Sequence, residues 1–319
     1  MLSMDEVAAV ADAAIAGLWA SGAAVSLVTM APERMRRNVF VRVTRAVGAR
    51  GMTWTAATQE GGWFERVSVP KRWFTHMYIV GTTATALLLT GSLLLAARPD
   101  ATTAGSALRA LALALFLLHV TRRLYESAAV AKHSPGARMH LLTYLLACAY
   151  YTTTPISFLG ASHAAHAAEA LLAAIPSANV TSLAALTQRG LSETLSGVLQ
   201  GGTAATLFGV TLFVFGNVAQ HGAHASLAAL RRSDGRDAGK YRLPHGMLFE
   251  GLSCPHFTAE IVLYAGLLFV VAPATVPQLC VFAFVVGNLT SSALDRHAWY
   301  KARFKSYPAH RRAIFPGVL

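Results

Sequence analysis

Long apolar stretches separated by short polar ones dominate the chain. Runs close to 20 residues fall at roughly 7–30, 75–97, 106–121, 139–160, 191–219, 257–274 and 277–295. About 20 consecutive apolar residues are what a helix needs to cross the hydrocarbon of a bilayer. The pattern therefore predicts an all-α integral membrane protein with about seven transmembrane helices in one bundle. The stretch "SHAAHAAEALLAAIPSANVTSLAAL" between the fourth and fifth runs is helical in composition but interrupted by Pro176, and is expected to lie at the interface. No internal repeat or polar linker divides the chain. One continuous membrane domain is expected, with residues 1–74 forming the first helix and a basic loop, 75–190 helices two to four and a further loop, and 191–319 the C-terminal region.

Charge sharpens this picture. Only 13% of the 319 residues are charged, against about 25% in ordinary globular domains. The net charge of +12 would suggest nucleic acid in a soluble protein, but here its distribution gives a cheaper account. Segments 31–74, 121–138, 220–256 and 296–319 hold 24 of the 27 Lys and Arg residues, and segments 98–105 and 161–190 hold one each. Basic residues gather on cytosolic loops, so the N-terminus is expected outside and the C-terminus in the cytosol. The sequon Asn179-Val180-Thr181 then falls on the lumenal side. Cys148, Cys254 and Cys280 are too far apart for a disulfide framework or a zinc site. Asp5, Glu6 and Asp12 argue against a cleaved secretory leader.

Polar residues at the cytosolic ends of the apolar runs are the next feature. Residues four, seven and eleven apart share a helix face. His119, Arg123 and Glu126 in "HVTRRLYES" have that spacing, as do Gln220, His224 and Arg231 in "QHGAHASLAALRR", with Asn217 one turn earlier. Arg296 and Tyr300 follow the seventh run. Snorkelling arginines and a stop-transfer cluster would explain some of these, but Asn217, Gln220 and His224 fit that account poorly. Arginines at converging helix ends make an anion site suited to phosphates, and Glu260, one turn into the sixth run, requires a donor. His221-x-x-His224 and His163-x-x-His166 could suggest metal ligands, but no His-His pair occurs and the two clusters fall on opposite expected faces. No metal is expected. Neither a Walker A motif nor a strand-linked GxGxxG is present.

The stretches "YRLPHGMLFEGLSCPHFTAEIVLY" and "RHAWYKARFKSYPAHRRAIFPGVL", with Tyr307-Pro308, Arg311-Arg312 and Phe315-Pro316, resemble the C-terminal signature of the steroid 5α-reductase family. "VPKRWFTHMYIVG" (69–81) and "HVTRRLYES" (119–127) resemble its polyprenol reductase branch. The resemblance implies a seven-helix reductase of the endoplasmic reticulum membrane, with NADPH bound by the C-terminal region from the cytosolic side. Carried over position by position, the cofactor contacts are Arg123, Gln220, His224, Arg231, Tyr241, Arg242, His256, Glu260, Arg296 and Tyr300. The family usually has Asn where this chain has His256, and an Arg in its steroid reductases where this chain has Ser292. The tyrosine that steroid reductases direct at their substrate's carbonyl aligns with Val120, which speaks against steroid reduction.

Chemistry narrows the expected substrate. Hydride adds to a carbon–carbon double bond only when a conjugated group can accept the electrons, so an α,β-unsaturated aldehyde is reducible where an allylic alcohol is not. The expectation is reduction of a polyprenal to dolichal, on the way to the dolichol phosphate of protein N-glycosylation, with the isoprenoid tail left in the bilayer. His119, His76 and Tyr151 are the candidate catalytic donors. A steroid or enoyl reductase of the same family, and a non-enzymatic transporter or scaffold, are the alternatives.

Overall fold

The computed structural model describes residues 3–30, 35, 38–48, 67–98, 103–131, 137–176, 180–230 and 241–318. Ten α-helices occur among them. They are α1 (Met4–Thr29), α2 (Val39–Gly48), α3 (Phe74–Ala96), α4 (Ala104–Tyr125), α5 (Leu141–Leu159), α6 (Ala161–Ala174), α7 (Val180–Gly201), α8 (Ala204–Ala229), α9 (Pro255–Val270) and α10 (Val276–Arg303). Two three-residue strands, β1 (Ser68–Pro70) and β2 (Arg138–His140), pair antiparallel with Val69 opposite Met139. They tie the start of α3 to the start of α5.

Among the described residues, five helical segments are long and apolar enough to cross a bilayer: Met4–Thr29, Lys71–Ala96, Ala104–Val130, Ala204–Ala229 and Val276–Arg303. α9 is apolar but has only 16 residues. α5 has 19 and carries Tyr144, Tyr150, Tyr151 and three consecutive threonines.

The expected fifth run, 191–219, is not one helix. The chain breaks at Gly201-Gly202-Thr203, between α7 and α8. Two local causes act together. A Cβ on Gly201 would stand 2.5 Å from the Cβ of Ala104, so α4 passes against a backbone that only glycine allows. Thr203 then restarts the helix, its hydroxyl accepting from the Thr206 N–H and the Thr206 hydroxyl accepting from the Thr203 N–H. Such reciprocal capping satisfies two orphan donors at a helix start.

α8 and α9 meet along a glycine seam. A Cβ on Gly209 or on Gly266 would lie 2.6 Å from the other's carbonyl oxygen, and one on Gly216 would lie 2.7 Å from that of Ala259. Small residues at this spacing let two apolar helices touch backbone to backbone. One turn beyond Gly216 comes Gln220, and next to Ala259 comes Glu260. The seam thus delivers these two polar side chains to each other. α1 lies along α10, where Gly287 faces Ser26, Arg45 of α2 meets Asp295 at 2.6 Å, and the Thr29 and Ser291 hydroxyls hydrogen-bond.

The bundle has two unlike ends. The starts of α1, α4, α8 and α10 share one of them. Arg109 of α4 donates to the Leu159 carbonyl at the end of α5, as does Gln278 of α10 to that of Phe158. The starts of α3, α5 and α9 share the other end with the C-terminal parts of α4, α8 and α10.

Candidate active site

α4 supplies the first wall. His119, Arg122 and Glu126 stand three, four and seven residues apart, so one face carries all of them. The helix passes into a π-helical turn, Glu126–Val130, a geometry that recurs at functional sites. Glu126 is 2% exposed, and four basic side chains converge on it. Arg122 and Arg123 donate to its two oxygens, and from α8 His221 Nδ1 approaches Oε1 at 2.7 Å and His224 Nδ1 approaches Oε2 at 2.8 Å. Arg123 also donates to the Tyr78 hydroxyl at 2.8 Å, with its guanidinium 5.1 Å from that ring's centre. Arg122 reaches across to α8, where Nε donates to Asn217 Oδ1 at 3.0 Å and Nη2 donates to Gln220.

α9 supplies the second wall. Gln220 passes the contact on, its amide donating to Glu260. The other Glu260 oxygen lies 3.3 Å from His119 Nε2. That pair has the distance of an ion pair but not the alignment of a hydrogen bond, and His119 Nε2 is a fully buried nitrogen without a hydrogen-bond partner. Arg122 Nη2 is 3.2 Å from His119 Nδ1, and a guanidinium can only donate. Asn217 Oδ1, an acceptor, lies farther off at 3.4 Å and already takes the Arg122 Nε–H, so the closer guanidinium contact places the ring proton on Nε2, on the side of Glu260. The two carboxylates therefore differ: Glu126 is held by two arginines with two histidines beside it, and Glu260 is held by a neutral amide beside a histidine.

α10 closes the site. Arg296 Nη1 lies 3.1 Å from His256 Nε2, and its guanidinium stacks 4.6 Å from the centre of the Phe257 ring. His256 Nδ1 is buried and without a partner. No carboxylate meets Arg296 among the described residues. Further along α10, Trp299 packs on Tyr241, and buried Tyr300 stacks on Tyr307 with their planes 13° apart. Arg242 lies exposed on the adjoining loop.

The start of α9 has no side-chain cap. The C-terminal tail serves instead, because Ser253 N–H donates to the Arg312 carbonyl at 2.8 Å and Cys254 N–H to that of Ala313 at 3.1 Å. The Thr258 hydroxyl donates to the Ile314 carbonyl at 2.6 Å. Arg311, 2% exposed, donates to the Pro244 carbonyl at 2.9 Å. Burial here raises the Cys254 thiol to about 12, which keeps it protonated and unreactive.

A computational family model described as 3-oxo-5-alpha-steroid 4-dehydrogenase matches residues 198–319. Polyprenal reductase 1 of Arabidopsis thaliana is 32% identical over 308 residues, covering 92% of each chain. The chain belongs to the steroid 5α-reductase family, on its polyprenal reductase branch. Polyprenal reductase 1 of Oryza sativa subsp. indica is 31% identical over 90% of this chain and 91% of its own, and the Caenorhabditis elegans polyprenal reductase is 30% identical over 80% and 81%. The match to the family model takes in α8 to α10. The α4 wall, with His119, Arg122, Arg123 and Glu126, lies outside it and within the longer matches to the polyprenal reductases.

Of the residues singled out in the sequence, His119, Arg123, Gln220, His224, His256, Glu260 and Arg296 form this one cluster. Tyr151 sits one layer away, edge-on to Tyr78 at 5.1 Å. His76 stands apart, exposed beside Trp73 and Tyr144. Arg231 lies outside the described residues, as does Asn179. Glu126 and Asn217, also singled out in the sequence, belong to the cluster, and Arg122 and Tyr78 join them. The four-residue spacing from His119 points to Arg123, but a residue three positions away, Arg122, shares the face just as well.

The donor set fits a nicotinamide dinucleotide. Among the described residues Arg296 faces an imidazole and a phenyl ring rather than a carboxylate, an arrangement in which its fork can take a phosphate. The orphaned His119 and His256 nitrogens each require a polar partner.

Proposed function

We propose that this chain is an NADPH-dependent reductase that converts a polyprenal to dolichal in the endoplasmic reticulum membrane, upstream of the dolichol phosphate used in protein N-glycosylation. The observation that carries this reading is similarity at 30–32% identity, across about nine-tenths of the chain, to polyprenal reductases. In this reading α1, α3, α4, α5, α8, α9 and α10 cross the bilayer, with the C-terminus in the cytosol. The basic loops and the polar cluster then share the cytosolic side, where the cofactor is available. The C-terminal region, residues 191–319, is its principal binding element.

Arg123, Arg231 and Arg296 are assigned to phosphates. Gln220, His224, Tyr241, Arg242, His256, Glu260 and Tyr300 line the remainder of the cofactor. When bound, the cofactor supplies hydride. The chain's own task is to position the unsaturated aldehyde and to stabilise the charge that develops on its oxygen. His119 is suited to that task. Its Nε2–H is buried, lacks an aligned acceptor, and is backed by Arg122 on the opposite nitrogen. Tyr151 and His76 are the competing donors, of which only Tyr151 lies near the cluster. Buried Val120 beside His119 offers no hydroxyl to a steroid carbonyl.

The test is NADPH oxidation by purified protein with polyprenal, polyprenol and a 3-oxo-Δ4-steroid in parallel. Rapid turnover of polyprenal alone is expected. Equal or faster turnover of polyprenol, with no dehydrogenase present, sinks the enolate chemistry, and turnover of the steroid alone reassigns the substrate.

A further inference from the structure

Reduction of a conjugated aldehyde requires two donors. One steadies the oxygen; the other protonates the α-carbon. The cluster described above answers only the first need. Arginines do not release protons in proteins, Glu260 is already engaged by Gln220, and His119 Nε2–H is assigned to the oxygen.

A second group lies beside His119. Tyr264 stands one helical turn beyond Glu260 on α9 and is fully buried. Its ring is edge-on to that of His119, with centroids 6.3 Å apart. The hydroxyl of Tyr150, half-buried on α5, donates to the Tyr264 oxygen. A phenol that accepts one hydrogen bond keeps its own O–H to give, so Tyr264 has a proton to deliver and a neighbour from which to recover it. Oxygen and α-carbon of an unsaturated aldehyde are two bonds apart, and two donors on adjacent rings match that spacing.

Resting on the polyprenal reductase reading, we propose that Tyr264 is the catalytic residue that protonates the α-carbon, and that Tyr150 reloads it. The β-carbon receives hydride with both its electrons, and the former π pair moves through the α-carbon to the oxygen, giving an enolate steadied by His119. The enolate pair then returns to form a C–H bond at the α-carbon as the Tyr264 O–H bond breaks. Tyr150 passes its proton across the existing hydrogen bond to the phenolate and takes one from water. The sum is one hydride and one proton added across the double bond, with the nicotinamide oxidised.

The experiment uses the full-length protein with polyprenal and NADPH in D2O, the product being trapped at once as the alcohol. Wild-type protein is expected to place deuterium on one face of the α-carbon. Tyr264→Phe is expected to lower the rate by about 10²–10⁴, the usual worth of a positioned general acid. Its NADPH affinity should remain unchanged, which shows that the fold persists, and deuterium should reach both faces because water now protonates the enolate. Tyr150→Phe should slow turnover but keep single-face delivery. Single-face delivery at an undiminished rate in Tyr264→Phe overturns the proposal, and so does scrambling confined to Tyr150→Phe. A wild-type protein that binds NADPH yet leaves polyprenal untouched overturns the polyprenal reading itself and the proposal with it.

Discussion

Helix starts at the two ends of the bundle are held in different ways. At one end, α1, α4 and α8 begin with Ser3, Thr103 and Thr203, each exchanging hydrogen bonds with the residue three positions on, and at the start of α10 Gln278 accepts from the Thr275 N–H. Every one of these caps is complete within four residues of chain. At the other end α3 and α9 have no side-chain cap, and α5 keeps a local one, His140 Nδ1 accepting from the Leu142 N–H at 3.0 Å. There α9 is held by a tail more than 50 residues downstream, and α4, α8 and α9 are joined by Arg122, Gln220 and Glu126. A closed local cap has nothing left to offer a ligand. An end built from long-range polar contacts retains donors that can be redirected, and that is where the orphaned nitrogens of His119 and His256 lie. The contrast makes a graded claim: substitutions at the site end should cost more, and should damage function differently, than those at the capped end.

The largest effect is expected at Glu126. Four basic groups converge on this one buried carboxylate, and Glu126→Ala would leave them facing each other. Removing one partner of a buried ion pair costs about 3–5 kcal/mol, so the folded fraction in detergent should fall sharply, with loss of function secondary to that. Normal yield and thermal midpoint in Glu126→Ala would break the claim that this end is tied together through Glu126.

Next comes His119→Ala, which tests function rather than fold. Loss of one donor to a developing oxyanion typically lowers the rate by about 10²–10³. NADPH affinity should be largely kept, since Arg122 retains Asn217, Gln220 and Glu126. A rate loss that tracks a loss of NADPH affinity would reassign His119 to the cofactor. His76→Ala is the counterpart, expected to leave the rate within about twofold, because an exposed side chain away from the cluster carries little.

Arg296→Ala should weaken NADPH binding by about 1.5–3 kcal/mol, the range for a charge-assisted hydrogen bond. Glu260→Gln isolates the carboxylate in the same assay. Its amide can no longer be the pure acceptor that the Gln220 amide meets, so a smaller loss is expected. Unchanged binding in both folded variants would remove the cofactor from this end of the bundle.

The same contrast separates what the sequence reveals from what it conceals. Helices α1, α3, α4, α5, α9 and α10 follow the apolar runs at about 7–30, 75–97, 106–121, 139–160, 257–274 and 277–295, since an apolar run of membrane length is a local property. The break at Gly201-Gly202-Thr203 was hidden because two glycines and a threonine hardly lower the hydropathy of a long run, and the close approach of Ala104 that requires Gly201 comes from another helix. The helical spacing of His119, Arg123 and Glu126 brought out the α4 face. It gave no sign that His76, with a similar flanking sequence of basic and aromatic residues, lies apart, because which side of a helix meets its neighbour is decided by packing. Nor could spacing reveal Asn217 as the acceptor for Arg122, or the pairing of Tyr150 with Tyr264 across α5 and α9.

The smallest effect is expected at the capped end, at Thr203. Its hydroxyl accepts from the Thr206 N–H at 3.3 Å, while the Thr206 hydroxyl accepts from its N–H at 3.2 Å. Thr203→Ala removes the first of these bonds, and loss of such a cap costs about 0.5–2 kcal/mol, typically near 1. In a protein of this size that corresponds to a fall of roughly 1–2 °C in thermal midpoint. Thr203→Ser, which keeps the acceptor oxygen, should restore it. Gln220 lies 17 residues along α8, which at 1.5 Å per residue is roughly 25 Å away, and no polar chain among the described residues joins the two. Turnover and NADPH affinity should therefore be unchanged in both variants. A normal thermal midpoint combined with a tenfold rise in the KM for NADPH would show that strain travels the length of α8, and the division between a self-contained end and a working end would have to be given up.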